Sequence, residues 1–501
     1  MSSLPPPPHR SEPRRLPAAP RLLLGGALAS AFLAAWLLPG SPVGLGLFLV
    51  ALAVTGSVAA AQPRRITTEV VLYAALGLAL AAMTMIRAAE WVVAVDALYA
   101  LGLACLVVVG GSTWTQVIRA PLMVAARVPA AVPFLWRAAR PEPRRQGRLT
   151  PVLRGTAIGV VLLGVFGGLF ASADRAFAHI VAQILLPDWD VGLVPLRIVV
   201  FGVVAVITAS YAAAGPRFAA LGTPLGISLW NAVFEDERRV PRRLGRTEWT
   251  MALGLLDILF AGFVVLQITV LFGGHDHVLR TAGLTYAEYA RQGFFQLLAV
   301  GILTLAVVAG AVRWAARNGS RDSVLLRILL GVLCSLTLVI LASALRRLGL
   351  YEDAFGFTQA RLTAHAVIWW LGGILLLVMA AGVRMRGWWL PRAVVAVTAG
   401  ALLVFSAADP DGLVASRNVD RFRETGRIDV GYLSGLSADA FPALAELPSG
   451  LRSCVLGMSP STRELRASEP WYAWNLGRER ARRVLAAAPH RRAACPVPPG
   501  R

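Results

Sequence analysis

Residues 324–345, VLLRILLGVLCSLTLVILASAL, decide the fold: 22 residues in a row carry a single charge, Arg327. A span of the hydrocarbon core of a bilayer needs roughly 20 apolar residues, with 17 to 25 the usual range. Lipid offers no hydrogen bonds, so such a run satisfies its backbone only by coiling into a helix. Working outward, ten further runs read the same way: 22–38, 43–61, 70–86, 91–109, 155–172, 194–214, 249–272, 294–312, 366–383 and 390–407. The last is shortened by Pro391 and Arg392. Links as tight as Arg87-Ala88-Ala89-Glu90 make antiparallel hairpins of the first four.

Composition agrees. In a chain of 501 residues, 56% are apolar and only 15% charged, with mean hydropathy +0.63. A soluble domain carries about 25% charged residues to hydrate its surface. The net charge of +21 invites a nucleic-acid reading, but all 49 basic residues are Arg, a bias of GC-rich bacterial genomes. They fall between the apolar runs rather than on one face with interleaved aromatics, so they orient helices and imply no nucleic-acid partner.

With the N-terminus in the cytoplasm, the inward connections hold 26 Arg and the short outward ones seven. Basic residues are retained inside during insertion, so the asymmetry sets the orientation. Eleven spans then leave the C-terminus outside. The fold class expected is an all-α integral membrane protein of the plasma membrane, a bacterial inner membrane. Its parts are a basic, Pro-rich cytoplasmic tail (1–21), a four-helix segment (22–109), a cytoplasmic interfacial segment (110–151), a second membrane domain of about seven helices (152–407) and an extracytoplasmic tail (408–501).

Two segments belong to neither water nor a span. Residues 113–139 mix Trp, Val and Leu with Arg119, Arg127 and Arg137 and read as short helices on the cytoplasmic leaflet, guanidinium groups towards anionic headgroups. Residues 176–186 are too short to cross and read as an outer surface or re-entrant helix. The tail is expected to hold short helices around Val430–Leu436 and after Asp439, the latter capped by the Asp439 side chain, and a basic amphipathic helix in WYAWNLGRERARRVLAA. Cys454 and Cys495, both in the outward tail, are a disulfide candidate; Cys105 and Cys334 lie within spans.

No Walker A sequence, HExxH, CxxC or GxSxG occurs, and nothing implies a cofactor. His275 and His277 flank Asp276, a pattern more typical of a solvated loop than of a metal site, and no metal is expected. Ionisable groups inside spans are costly and so mark function by default. Asp96 and Asp257 are such groups, either stations on a proton or cation path or buried hydrogen-bonding partners for Arg197 or Arg327. The outward loops concentrate a third set: Asp174, then Glu288 and Arg291, then Arg346, Tyr351, Glu352, Arg361 and His365. Interface aromatics and helix caps explain part of it. The recurrence of Glu with Arg on the Arg-poor side points to a shared outer polar cluster.

The run from Glu248 through LDILFAGFVVLQITVLFGG to LTYAEYARQGFFQL, together with RLGLYEDAFGFTQARLTAH and NVDRFRETGRIDVGYLSGLSADAFPAL, resembles a family of bacterial, largely actinobacterial, multi-pass membrane proteins. That family is catalogued only as a domain of unknown function, the 4153/4173 group. The resemblance implies membrane location and topology, and no catalytic residue. Three functions are compatible with these residues. A non-enzymatic sensor, scaffold or envelope-assembly component with an outward polar site fits the missing catalytic motifs. A secondary transporter would use Asp96 and Asp257. A membrane enzyme would act on a lipid-linked substrate at the outer face.

Overall fold

The structure is a computed structural model and describes residues 21–61, 67–138, 191–214, 243–272, 294–317, 319–384 and 387–487. Among them the secondary structure is helical, with one isolated bridge between Leu244 and Ala315. The bundle is formed by α1 (Arg21–Leu37), α2 (Leu45–Ala61), α3 (Thr68–Ile86), α4 (Glu90–Val109), α5 (Trp114–Ala125), α6 (Val128–Ala138), α7 (Val194–Ala214), α8 (Arg246–Phe272), α9 (Phe294–Trp314), α10 (Ser320–Phe355), α11 (Gln359–Arg384) and α12 (Leu390–Ala407). Eight of these are long and apolar enough to cross a membrane, nine if the bent pair α5–α6 is one span; α1 and α2 are shorter apolar helices. By length and composition these are the helices of a multi-pass membrane protein. The expected span at 155–172 and the surface helix at 176–186 lie outside the described residues.

The helices bury little of themselves. In the most apolar window, within α10, a third of the residues are covered, and side chains such as Ile258, Leu259 and Trp369 stand 66–70% exposed. In water such faces would associate; lipid solvates them. Inward faces are finer-grained. Val264, Leu297, Cys334, Ile340, Leu341 and Leu371 join α8, α9, α10 and α11. Tyr73, Leu80, Leu103, Leu106 and Ala399 join α3, α4 and α12. α7 runs antiparallel to α1, with Ala209 and Ala212 near Leu23 and Val200 and Val204 near Leu37.

Two expectations about local structure change. The stretch 346–365 was expected to be an outward loop, but it is mostly helix. α10 runs 36 residues to Phe355, α11 starts at Gln359, and only 356–358 connect them. Polarity ends a span without ending a helix: Arg346, Arg347 and Glu352 are competent helix formers. The stop is Gly356, whose φ of 81° and ψ of 179° suit a residue without Cβ. The segment 113–139 does form two short helices, bent by 50° at the break. Ala120, Val124, Ala131 and Phe134 pack inward while Ile118, Leu122 and Val132 remain exposed.

Beyond α12 the chain folds into a compact helical cap: α13 (Pro410–Thr425), α14 (Val430–Ser434), α15 (Phe441–Leu444), α16 (Ser449–Met458), α17 (Pro460–Leu465) and α18 (Leu476–Ala487), with single 3-10 turns at Ala438–Ala440 and Trp471–Ala473. Its core is its own: Val414, Val419, Leu433, Phe441, Leu444, Val455, Leu456 and Ala481 are each at most 1% exposed. The two helices expected around residues 430 and 476 are there. The one after Asp439 is a single turn, and Asp439 does not cap it.

Candidate functional site

The cap sits on one end of the bundle, where the α1–α2, α3–α4 and α10–α11 connections and the end of α12 come together. Helix ends leave backbone N–H and C=O groups unsatisfied, and burying them requires partners. Here the cap supplies them. Asp439 Oδ2 accepts from the backbone N–H groups of Ala88 (2.7 Å) and Ala89 (3.0 Å), at the start of α4. Asn475, fully buried, donates to the carbonyls of Thr84 (3.0 Å) and Arg87 (2.8 Å), at the end of α3. The carbonyl of Trp474 accepts from Leu45 N–H (3.0 Å), where α2 begins. Arg478 donates to the carbonyl of Val43 (2.9 Å).

Arg87 is the pivot. Its guanidinium, 8% exposed, donates to the carbonyls of Ser406 and Ala407 (2.6 Å each) at the end of α12 and pairs with Asp409 at 3.0 Å. A cation against a helix C-terminus also complements the dipole there. Asp409 caps α13 through Gly412 N–H (3.2 Å) and adopts left-handed backbone angles, φ 58° and ψ 72°. Ser406 in turn donates its hydroxyl to Asp96 Oδ2 at 2.6 Å.

A second knot lies at the start of α11. Asp411, fully buried, accepts from Gln359 Nε2 (2.7 Å), Trp91 Nε1 (3.3 Å) and Ser437 N–H (3.0 Å). Tyr432 accepts from Gln359 N–H (2.7 Å). Asn418 holds Phe357 from both sides, accepting from its N–H (3.3 Å) and donating to its C=O (2.9 Å).

Burial tunes these groups. It pushes the Asp439 carboxyl up to about 6, helped by the Asp409 charge and opposed by Ala88 N–H, Ala89 N–H and Arg87. It raises Asp409 too, against the pull of Arg87. The site is tightly closed: a Cβ on Gly477 would overlap Asp439 Oδ1, and one on Gly44 would stand 2.5 Å from the Ala473 carbonyl oxygen.

The expected outer cluster is half in view. Glu288, Arg291 and Asp174 lie outside the described residues, as do His275, Asp276 and His277. Glu352, 4% exposed, pairs with His365 at 2.9 Å across the α10–α11 turn. Arg361 stacks on the Tyr351 ring at 4.2 Å and donates to the Gly356 carbonyl. Arg346 is exposed; its neighbour Arg347 donates to Gln267 of α8 at 2.7 Å. Asp96 has Ser406 as its partner; Arg197 and Arg327 were the expected ones. Asp257, 8% exposed, has no hydrogen-bond partner on either carboxylate oxygen. Cys454 is buried in α16, and Cys495 lies outside the described residues.

Arg87, Asp411, Asn418, Gln359 and Asn475 were not singled out from sequence, and Asp439 was expected only as the cap of its own helix. The signal was available for several. The segments LYEDAFGFTQ and NVDRF…GYLSGLSADAF, quoted above for the family resemblance, are the two that meet here, Phe357 on Asn418 and Gln359 on Tyr432. Residues 70–447 match the family described as Domain of unknown function (DUF4153), covering the bundle from α3 onward and the cap through α15. No curated protein and no solved structure matches. With most of its length inside that match, the chain belongs to the DUF4153 family.

Proposed function

We propose that the protein is a non-enzymatic membrane component, a sensor or scaffold of the cell envelope, that presents its C-terminal cap on the outer face. The observation carrying this is the seam itself. Asp439, Asp411, Asn475 and Arg87 are committed to helix ends and to one another, an arrangement that fixes a platform and leaves these groups no room to act on a substrate. A lipid-linked substrate enzyme would instead need acidic groups open to a groove.

The orientation proposed is N-terminus in, cap out, with eleven spans. The Arg asymmetry supports it. So does the placement of the helix ends: α4 finishes at the end away from the cap, whereas α7 starts at the cap end, near Gly40 and Leu193. An odd number of passes must separate them, and the apolar run 155–172 is the one the sequence offers. In this orientation α5 and α6 lie at the cytoplasmic face, where Arg119 and Arg127 would meet anionic headgroups.

A thiol-labelling scan tests the topology. Cysteines placed near residues 145, 240 and 318 should label from the cytoplasm, and those near 185, 280, 355 and 450 from outside; a cytoplasmic cap would sink the reading. For the platform, photo-cross-linkers at the exposed cap positions Arg463 and Arg466 should capture envelope components in intact cells. Purified protein that turns over a lipid-linked substrate would overturn the non-enzymatic assignment.

A further inference from the structure

Asp257 stands apart from every other buried carboxylate described. Asp96, Asp411 and Asp439 each accept from at least one donor; Asp257 accepts from none, with both oxygens buried. It lies eleven residues into α8 from Arg246, about 16 Å along the helix and near the middle of a core about 30 Å thick. An ionised carboxylate there, with no donor or cation on it among the described residues, is strongly disfavoured, so the group holds a proton.

Its surroundings are graded. α8 and α10 run parallel, joined at the far end by Arg246 and Asp322 (3.3 Å). Asp257 comes within electrostatic reach of the Cys334 thiol on α10. One turn further, Thr337 meets Thr304 of α9, hydroxyl to hydroxyl at 3.2 Å, both buried. Towards the cap end, Ser343 and Arg347 both donate to Gln267, at 3.0 and 2.7 Å. These polar side chains are spaced along the triplet from Asp257 towards the cap-side surface as a file of separate steps, the widest about 9 Å between Thr337 and Ser343. Among the described residues Cys334 is its titratable neighbour. α9 carries no charge before Arg313, α11 none between His365 and Arg384, and Arg327 of α10 is exposed.

We propose that Asp257 is a proton-exchange site within the α8–α9–α10 triplet, loaded and unloaded from the cap side along this file. The carboxylate takes a proton from water to become the neutral acid and returns it to water, with no other bond changed. Asp96, held by Ser406, belongs to the seam and is no second station. This inference is independent of the cap reading, which would survive its failure.

Dicyclohexylcarbodiimide, which adds to protonated carboxyls in apolar surroundings, gives the test on the full chain in liposomes. Peptide mass spectrometry should find the adduct on Asp257, forming more slowly as pH rises, and Asp257→Asn should remove it. Infrared spectra should show a protonated-carboxyl C=O band, absent in Asp257→Asn, that shifts in D2O. Thr304→Val with Thr337→Val should slow that shift several-fold while the band remains. No adduct on Asp257, a rate insensitive to pH, or a band that never exchanges would overturn the proposal. Protection by sodium at constant pH would replace the proton with a metal cation and overturn it equally.

Discussion

At the scale of single residues, Asp439 and Ser406 make the sharpest expectations. The folded Asp439 carboxyl holds its proton up to about pH 6, against an ordinary 3.8. The docked cap therefore binds that proton more tightly than the unfolded chain does. Its contribution to docking is complete below about pH 4 and is lost as pH rises through about 6, roughly 3 kcal/mol in all. Limited proteolysis of the cap should accelerate across that window, and Asp439→Asn should flatten the dependence; equal slopes would contradict the assignment. Ser406→Ala leaves Asp96 without its donor and should cost roughly 1–3 kcal/mol of thermal stability, part of it recovered in the double change with Asp96→Asn. An unaffected melting temperature would show that the pair is idle. From sequence, Asp96 was legible as costly but its partner was not, because Ser406 is 310 positions away and a serine in an apolar run carries no signal of its own.

At the scale of elements, hydropathy located the apolar helices because lipid rewards uniform apolar length, and each described run lies within a helix to within two residues, 22–38 and 43–61 overrunning theirs. It could not locate helix ends, which are set by backbone chemistry. α10 is the clearest case: its apolar run stops near Leu345, yet the helix continues ten residues to Phe355, for a length of about 54 Å. Gly356 decides the stop, and a Cβ there would also stand 2.8 Å from Asn418 Oδ1. Gly356→Ala is thus expected to combine backbone strain of roughly 1–3 kcal/mol with loss of the Asn418–Phe357 clasp. Hydrogen exchange should report it as faster exchange at Phe357 and across α13. Exchange confined to Gly356 itself would mean that the clasp adapts. Glu352, His365, Arg361 and Tyr351 were expected in an outer cluster shared with other loops because Glu recurs with Arg on the Arg-poor side. In the structure Glu352 pairs with His365 and Arg361 stacks on Tyr351, two contacts between the ends of α10 and α11.

At the scale of the whole molecule, the division into bundle and tail was readable from the change in hydropathy after residue 407, but the docking of one on the other was not. It rests on hydrogen bonds to backbone groups, which every residue type offers alike. Cysteine usage adds one test. Cys454 is buried in α16 and Cys105 and Cys334 are free thiols, while Cys495 lies outside the described residues, so the bridge between Cys454 and Cys495 expected from sequence is a prediction to test. Closing a loop of about 40 residues should add on the order of 3–4 kcal/mol. Alkylation of protein from intact cells, read on reducing and non-reducing gels, should find neither tail cysteine reactive; two reactive thiols would refute the bridge.

The seam also orders events in time. Asp439 closes the start of α4 across 351 positions of chain and Asn475 the end of α3 across 391. Both closing residues follow every helix of the bundle. While the protein is being made and inserted, the α3–α4 turn must wait with its amides and carbonyls facing water until the last span is in place and the cap has folded. Docking therefore requires the α1–α2, α3–α4 and α10–α11 connections and the end of α12 to stand on the same side. A molecule with one of these ends on the wrong side would keep its cap undocked and open to proteases. The cap is in this sense a checkpoint on assembly, and the earliest hairpins are the ones it inspects.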